Sequence, residues 1–336
     1  MKSQNIILTG KQKIEVVEKN VRDPAEGEVV GESLISLIST GTESICYRGE
    51  FDPGSHWERW VKYPFNIGYQ NIARVIKVGP GVQRLKEGDL FFSTGGHHFQ
   101  YFVVGAKDAI FKLPAGLPIE DAAWSSLATT TQTGVRRAKV KMGAMCVVIG
   151  LGLLGQLVVQ YLRVSGAENI LAIDPVQMRL DYAATKGATH TFRGSAADAL
   201  PFVTEHSAGR LADVVFDVTG HWAVLPLALP LARQFGKVVL VGDSSHPSRQ
   251  HLTPDVLRKQ IDVLGSHTTQ LPPEDAEWTA ERQTYLYYTF VQRGLMRMAD
   301  LITHRHNPLE APAVYAKLLD NRTDTMGVLF DWAKLK

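Results

Sequence analysis

The run Gly150-Leu151-Gly152-Leu153-Leu154-Gly155 constrains what this chain can fold into more than any other feature of its sequence. It follows Cys146-Val147-Val148-Ile149, an apolar β-forming run, and it opens a stretch, Gly155–Ser165, with helical character. Glycines at this spacing serve a dinucleotide. The first permits the tight turn, the second lets the backbone approach a pyrophosphate, and the third lets the helix pack closely on the strand. The helix N-terminus then offers free N–H groups and a partial positive charge to the phosphates. Three glycines alone describe an ordinary turn equally well. The strand–turn–helix setting gives the motif its weight.

The surrounding rhythm agrees. Ala144–Ile149, Asn169–Asp174, Val214–Val218, Lys237–Val241 and Ile261–Gly265 read as strands, with helices over Gly155–Ser165 and Pro175–Lys186. Strands alternating with helices imply a parallel, doubly wound α/β sheet. The first third differs. Ile14–Val17, Glu28–Ile38, Ile72–Val78, Asp89–Phe92 and Gln100–Val104 cluster β-formers between Gly and Pro punctuation, which suggests a rolled-up antiparallel domain. A helix starts near Pro118, with Glu120 and Asp121 in its first turn. Glu274–Gly294 reads as helical after Pro272-Pro273, and Leu301–Lys336 is mixed, so the chain's end is expected to rejoin the first domain.

Composition narrows the class. At 336 residues the chain has room for two ordinary domains, and 45% hydrophobic residues suit a globular core. Lys plus Arg (36) nearly balances Asp plus Glu (34), a net charge of +2 that argues against a nucleic-acid surface. Cys46 and Cys146 are the only cysteines, too few for a disulfide framework, so a cytoplasmic setting is expected. The N-terminal run lacks a signal-peptide core, and Met145–Leu162 is broken by glycines, so no membrane span is expected.

Asp174 ends the strand after the glycine turn, 19 residues beyond Gly155, where an acid accepts hydrogen bonds from the adenosine ribose diol. A carboxylate there repels a 2′-phosphate, so NAD(H) is favoured over NADP(H), although Arg179 nearby could pack on adenine or soften that repulsion. Asp174 could equally cap the helix opened by Pro175. Later strands end in Val218-Thr219-Gly220, Val241-Gly242 and Leu264-Gly265-Ser266. Ligands sit at the carboxyl ends of strands in such sheets, so Thr219, Gly220, Val241, Gly242, Ser266 and the following His267 are candidates for the nicotinamide side. Each could also be part of an ordinary turn.

The sequence resembles the medium-chain dehydrogenase/reductase superfamily over nearly its whole length. Ile67-Gly68-Tyr69-Gln70-Asn71 through Val78-Gly79-Pro80-Gly81-Val82 looks like the family's Gly-His-Glu segment, and Leu85-Lys86-Glu87-Gly88-Asp89 looks like its Gly-Asp turn. Leu301-Ile302-Thr303-His304-Arg305 matches the family's returning stretch, beside the glycine fingerprint at 150–155. The resemblance implies a GroES-like β-rich catalytic domain from 1–127 and 271–336, with a Rossmann domain, 128–270, inserted. Leu37-Ile38-Ser39-Thr40-Gly41-Thr42-Glu43 and Gly68-Tyr69-Gln70-Asn71 are most similar to the bacteriochlorophyllide a dehydrogenase branch.

Zinc-dependent members carry Cys-x-[Ser/Thr]-Asp, then Gly-His-Glu, then a third Cys or Glu. This chain has Thr40, Tyr69 with Gln70, and Ser125 at those places, and residues 90–115 hold no cysteine for a structural lobe. None is a usual zinc ligand, so no zinc is expected, structural or catalytic. His97-His98 offers no substitute, because adjacent side chains on a strand face opposite ways.

Without a metal, hydroxyl or imidazole donors must stabilise a developing alkoxide. Thr42 stands where the resemblance places a proton-relay Ser/Thr. Tyr69 fills the position of a ligating histidine and could donate to the substrate oxygen if positive charge lowers its pKa; it could equally just fill the space. Glu43 and Gln70 would orient these groups, and His98 or His97 is a further candidate. Thr40 and the aromatic segment Trp57, Trp60 and Tyr63 would line the substrate pocket, stacking on a planar or sugar-like small molecule, or that segment packs on its own domain. The expected activity is alcohol–ketone interconversion. The alternatives are a zinc-free quinone or enone reductase and a non-catalytic nucleotide-binding relative. A homodimer or homotetramer, paired through the edge strand Ile261–Gly265, is expected from the resemblance.

Overall fold

The computed structural model describes residues 1–105, 109–268 and 270–335; Lys336, the end of the expected returning stretch, lies outside them. It forms two compact units, one of Met1–Ser126 with Thr284–Lys336, the other of Leu127–Gln283. The first opens with β1 (Lys2–Gly10), β2 (Lys13–Asn20), β3 (Glu28–Leu37), α1 (Thr42–Arg48) and α2 (His56–Trp60). It continues with β4 (Phe65–Asn66), β5 (Asn71–Val78), β6 (Leu90–Ser93), β7 (Tyr101–Gly105), β8 (Ile110–Lys112) and α3 (Ile119–Ala122). Helix α4 (Ser125–Ala138) leads into β9 (Met145–Ile149), α5 (Leu153–Val164), β10 (Asn169–Asp174), α6 (Gln177–Lys186) and β11 (His190–Arg193). Then come α7 (Leu200–His206), β12 (Ala212–Asp217), α8 (Leu225–Ala228), β13 (Ala232–Leu240), α9 (Asp255–Lys259) and β14 (Asp262–Gly265). Helix α10 (Ala280–Gln292) precedes β15 (Ile302–His306), α11 (Ala311–Asp320) and β16 (Gly327–Asp331).

The second unit is a six-stranded sheet in the order β11-β10-β9-β12-β13-β14, parallel throughout. Its central strands are nearly continuous apolar runs because both faces are covered; every residue of Met145–Ile149 is buried. Strand order reverses between β9 and β12, so the crevice at their carboxyl ends is the topological switch point. β14 lies at one edge, as the sequence suggested. β11, short and half polar, escaped the sequence reading.

The first unit holds a seven-stranded sheet along β15-β16-β3-β5-β6-β8, with β7 also paired to β3, and a small sheet β2-β1-β4. The long strand β3 pairs β7 through Glu28–Glu32 and β16 through Ile35–Leu37, which rolls the sheet. Strand β1 also escaped the sequence reading, since Ser3, Gln4 and Asn5 dilute its apolar signal. Ser3 and Asn5 are nonetheless buried, and Ser3 Oγ bonds Asn5 Oδ1 and Tyr101 O. One core gathers Ile6, Leu8, Ile38, Trp57, Tyr315, Phe330 and Trp332. Another packs Val29, Ala73, Phe91 and Phe102, with Phe91 and Phe102 closing over Gly31, where a Cβ would lie 2.8 Å from a ring carbon.

The sequence placed the return to the first domain at 270/271. It falls between Gln283 and Thr284, inside α10. Residues 271–283 stay with the second unit because Trp278 is stacked between the guanidinium groups of Arg136 and Arg282, 3.3 and 3.7 Å from the ring centroid. Gln283 also bonds Gln132 and Thr133. Among the described residues no helix is long and apolar enough to cross a membrane.

Candidate functional site

In the second unit, Gly150 follows β9 with φ +89°, a conformation that favours glycine, and a Cβ there would meet Thr219 Cγ2 at 2.8 Å. A Cβ at Gly155 would meet Gly150 O at 2.1 Å. Gly152 is different. It caps α5 with no side-chain cap, and nothing lies within 4 Å of where its Cβ would be. The turn thus pairs an uncapped helix N-terminus, buried Leu153 and half-buried Leu154 behind it, with open space over Gly152, the setting a phosphate needs.

Asp174 is buried at the end of β10. Its Oδ2 accepts from Leu151 N and its Oδ1 from Val176 N, both at 2.8 Å, with Arg179 Nη1 3.7 Å from Oδ2. The carboxylate ties the strand end to the glycine turn. It does not cap α6, whose cap is Val176. Gln156, which the sequence reading missed, donates from Nε2 to Leu151 O and Arg179 O and so joins the turn to α6.

The later turns interlock with this one. Val218 N donates to Ile149 O, and a Cβ on Gly242 would meet Gly220 N at 2.2 Å. Val241 N and Gly242 N both donate to Asp217 O. Asp217, also missed, is buried, and its Oδ1 accepts from Thr219 N at 3.0 Å and Thr219 Oγ1 at 2.7 Å. Its Oδ2 has no partner. Burial pushes its pKa up to about 6, against the lowering effect of the Thr219 bonds. Ser266 Oγ is buried near Gly134, and His267 is exposed.

In the first unit, Thr42 opens α1 and Glu43 follows it, buried. Glu43 Oε1 accepts from Ser39 N at 2.8 Å. Its Oε2 accepts from His98 Nε2 at 3.1 Å and from the Tyr315 hydroxyl. His98 Nδ1 lies 2.7 Å from Ser36 Oγ, which accepts from Trp332 Nε1 at 3.0 Å. Indole N–H can only donate, so the chain is satisfied with Ser36 donating to Nδ1 and His98 carrying its proton on Nε2. His98, a candidate proton donor from the sequence, is thus fully buried with both ring nitrogens bonded, and it supports Glu43. Nor are His97 and His98 on a strand. They lie in a turn, with His97 at φ +45° and its Nδ1 2.9 Å from Gly68 O. Gly68 leaves room for His98, since a Cβ there would meet Cδ2 at 2.5 Å.

Tyr69 is half-buried, and its hydroxyl donates to Ser39 Oγ at 2.5 Å, with Thr42 Oγ1 at 3.3 Å. Ser39 was not foreseen. Burial pushes the Tyr69 phenol up to about 12, more than the Ser39 and Thr42 bonds pull it down. Gln70, expected to orient these groups, instead accepts from Ser126 N at 3.2 Å near the start of α4, leaving its own Nε2 unpartnered.

The aromatic segment divides. Trp57 is 3% exposed and belongs to the core, so it does not line a pocket as expected; the bulk of its ring is worth more inside. Trp60 is 47% exposed and meets Phe65 edge-on. Tyr63 is 37% exposed and donates to Cys46 O. Thr40 O accepts from Arg322 Nη1 at 2.8 Å. Ser125 Oγ donates to Ala122 O and bonds the Tyr288 hydroxyl. Among the described residues no group of three or more His, Cys, Asp or Glu side chains is placed to hold a metal ion.

A β-rich unit beside a switch-point sheet carrying a glycine turn is the arrangement of an alcohol dehydrogenase-like oxidoreductase. Comparison with known proteins agrees. The zinc-binding dehydrogenase family model matches residues 154–283. The L-threonine 3-dehydrogenase of Bacillus licheniformis is 28% identical over 308 residues, 82% of this chain and 85% of that protein. An alcohol dehydrogenase from Escherichia coli CFT073, solved with NADH, has a TM-score of 0.82 at 20% identity, covering 98% of this chain and 99% of that one. A dehydrogenase from Sinorhizobium meliloti 1021, solved with NADP, has the same TM-score, identity and coverage of 98% and 99%. The chain is similar to the zinc-binding dehydrogenase family over residues 154–283, and its fold, a β-rich unit and a doubly wound parallel sheet, is that of solved dehydrogenases.

Proposed function

We propose that this protein interconverts an alcohol and its ketone with NAD(H), and that hydroxyl groups stand in for the zinc ion of its relatives. The observation that carries this reading is the Tyr69–Ser39–Thr42 hydroxyl cluster. The residues at the three ligand positions do not suit zinc. Tyr69 spends its proton on Ser39, Ser125 Oγ is bonded to Ala122 O and Tyr288, and Thr40 is a hydroxyl rather than a thiolate or imidazole.

The residues of the second unit do fit a dinucleotide. The α5 N-terminus and Gly152 would hold the diphosphate, and Asp174 and Arg179 would meet the adenosine ribose. The buried Asp174 carboxylate favours NAD(H), since a 2′-phosphate would meet its charge. When bound, the nicotinamide supplies or accepts the hydride. In ketone reduction the hydroxyl cluster would give a proton to the developing alkoxide and recover one from solvent; in alcohol oxidation it would pass the alcohol's proton to solvent. A phenol with a pKa near 12 keeps its proton at neutral pH, so it remains a donor, and positive charge brought near it by the bound nicotinamide would make it a stronger one. Ser39 fixes the Tyr69 hydroxyl, and Glu43 fixes Ser39 through its backbone N–H. Exposed Trp60 and Tyr63 offer ring faces to a sugar-like or planar substrate. The unpaired outer edge of β14 suits pairing with a second copy, giving a homodimer or homotetramer.

Fluorescence titration with NADH and NADPH, followed by a screen of alcohols, polyols and ketones with metal analysis, tests the reading. Tighter NADH binding and metal-free turnover are expected. Stoichiometric zinc, much tighter NADPH binding, turnover of quinones or enones alone, or cofactor binding without any turnover would each overturn it.

A further inference from the structure

Asp217 is the one buried acid at the switch point that the proposed chemistry leaves unused. It ends β12, the strand beside β9, and its register partners are Ile149 and Leu240. It is 1% exposed. One carboxylate oxygen holds the Thr219 turn and the other has no hydrogen-bond partner. A buried carboxylate oxygen without a donor is costly when ionised and is relieved by a proton.

The charges around it are few. β9 (Met145–Ile149) and α8 (Leu225–Ala228) carry no charged side chain, nor does the turn Leu229–Leu231. On β13, Arg233 is bonded to Asp213 and Lys237 Nζ to Ala138 O. At the same strand ends stand Asp174 on β10, Arg179 on α6, and His221 and Asp243 in turns. None of these contributes to the shift at Asp217, which burial raises and Thr219 lowers.

The glycine turn lies against this group. Gly150 continues β9 directly from Ile149, and a Cβ on it would touch Thr219 Cγ2 at 2.8 Å. A diphosphate resting on that turn brings negative charge to a poorly solvated carboxylate, where charges interact strongly.

We infer that Asp217 belongs to the dinucleotide site as its proton acceptor: when the diphosphate binds, Asp217 takes one proton from solvent, and cofactor affinity is linked to pH. The inference rests on the cofactor reading above. Its sign is fixed. In the free protein the carboxyl titrates near 6, so at pH 7 it is mainly ionised. Added negative charge favours the protonated form and raises its pKa. Above pH 6 binding therefore absorbs protons, and affinity falls with rising pH by up to about tenfold per unit, the limit for one linked proton. The oxidised cofactor carries one more positive charge and absorbs less.

Calorimetric titration of the whole protein with NADH at pH 7, in buffers of different ionisation enthalpy, reads proton uptake directly. Wild type is expected to take up a clear fraction of one proton. Asp217→Asn, which keeps the acceptor for Thr219, is expected to bind NADH with that uptake lost and with flatter pH dependence. Thr219→Val removes a bond that favours the ionised form, so it moves the uptake window to higher pH and serves if Asp217→Asn does not fold. Uptake equal to wild type in Asp217→Asn, or an unmoved window in Thr219→Val, overturns the inference. Absence of any binding heat with NADH in wild type instead overturns the cofactor reading on which it stands.

Discussion

Tyr69 and Ser39, thirty residues apart in sequence, share a hydrogen bond of 2.5 Å between hydroxyl oxygens. Each hydroxyl carries a single proton, so the Tyr69 proton given to Ser39 leaves the Ser39 proton available to another acceptor. The pair acts as a unit. Tyr69→Phe and Ser39→Ala are each expected to lower kcat by about 10²-fold, within the range of positioned proton donors, with the double variant scarcely worse than either single one. Steady-state kinetics on the best alcohol from the screen decides the matter. Full activity in both single variants removes the hydroxyl cluster from the mechanism.

Alkaline stability follows from the same phenol. The Tyr69 pKa is raised to about 12, mainly by burial, and those of Tyr161, Tyr288 and Tyr315 are raised too. In the unfolded chain these groups ionise near pH 10. The folded state keeps their protons, so its advantage is full below pH 10 and is lost as pH rises from there through the folded pKa values. Melting temperature is expected to fall steeply above pH 10, with the tyrosinate absorbance of these four buried phenols appearing only on unfolding. Ionisation of all ten tyrosines in the folded protein, ahead of any unfolding, would contradict this burial.

Two glycines of one turn should respond in opposite ways. Gly155→Ala forces a Cβ to 2.1 Å from a backbone oxygen and is expected to destabilise the second unit by roughly 2–4 kcal/mol. Gly152→Ala meets nothing within 4 Å, so its melting temperature stays near wild type while NADH affinity drops sharply. Normal NADH binding by Gly152→Ala would mean that the open space over this residue is not where a phosphate rests.

Asp174→Ala removes the acceptor for Leu151 N and Val176 N. Leaving such groups unsatisfied costs roughly 1–3 kcal/mol, so both melting temperature and NADH affinity should fall. Asp174→Asn keeps one of the two acceptors and removes the charge, so stability should fall less than in Asp174→Ala, with a preference moved toward NADPH. An unchanged NADH-to-NADPH ratio would show that the carboxylate charge does not set specificity.

Glu43→Ala would strand His98, Tyr315 and Ser39 N, all bonded to that carboxylate. The expected loss is about 3 kcal/mol, typical of a broken buried pair. Glu43→Gln should recover part of it. Chemical denaturation of the three proteins tests the order wild type, Gln, Ala.

Much of the backbone was legible in the sequence. The apolar runs ending at Ile149 and Asp174, and the glycines between strand and helix, are local patterns that read out as β9, β10 and α5. Short or polar strands were not. β1 hides buried Ser3 and Asn5 behind bonds to residues far along the chain, and β11 has little apolar content. Trp57 looked like a stacking platform because exposure is invisible in a sequence; the core around Tyr47 and Tyr315 claims it. His98 looked like a proton donor for the same reason.

What the sequence alone determined is the parallel sheet and the phosphate turn, because spacing of glycines and apolar residues acts on backbone geometry within a few positions. What the tertiary structure decided is the state of each polar group: Glu43 joined to Tyr315 across 272 positions, Tyr69 to Ser39, and Asp217 left with one oxygen bare. Those outcomes depend on burial and on partners brought from distant parts of the chain, which no local pattern encodes.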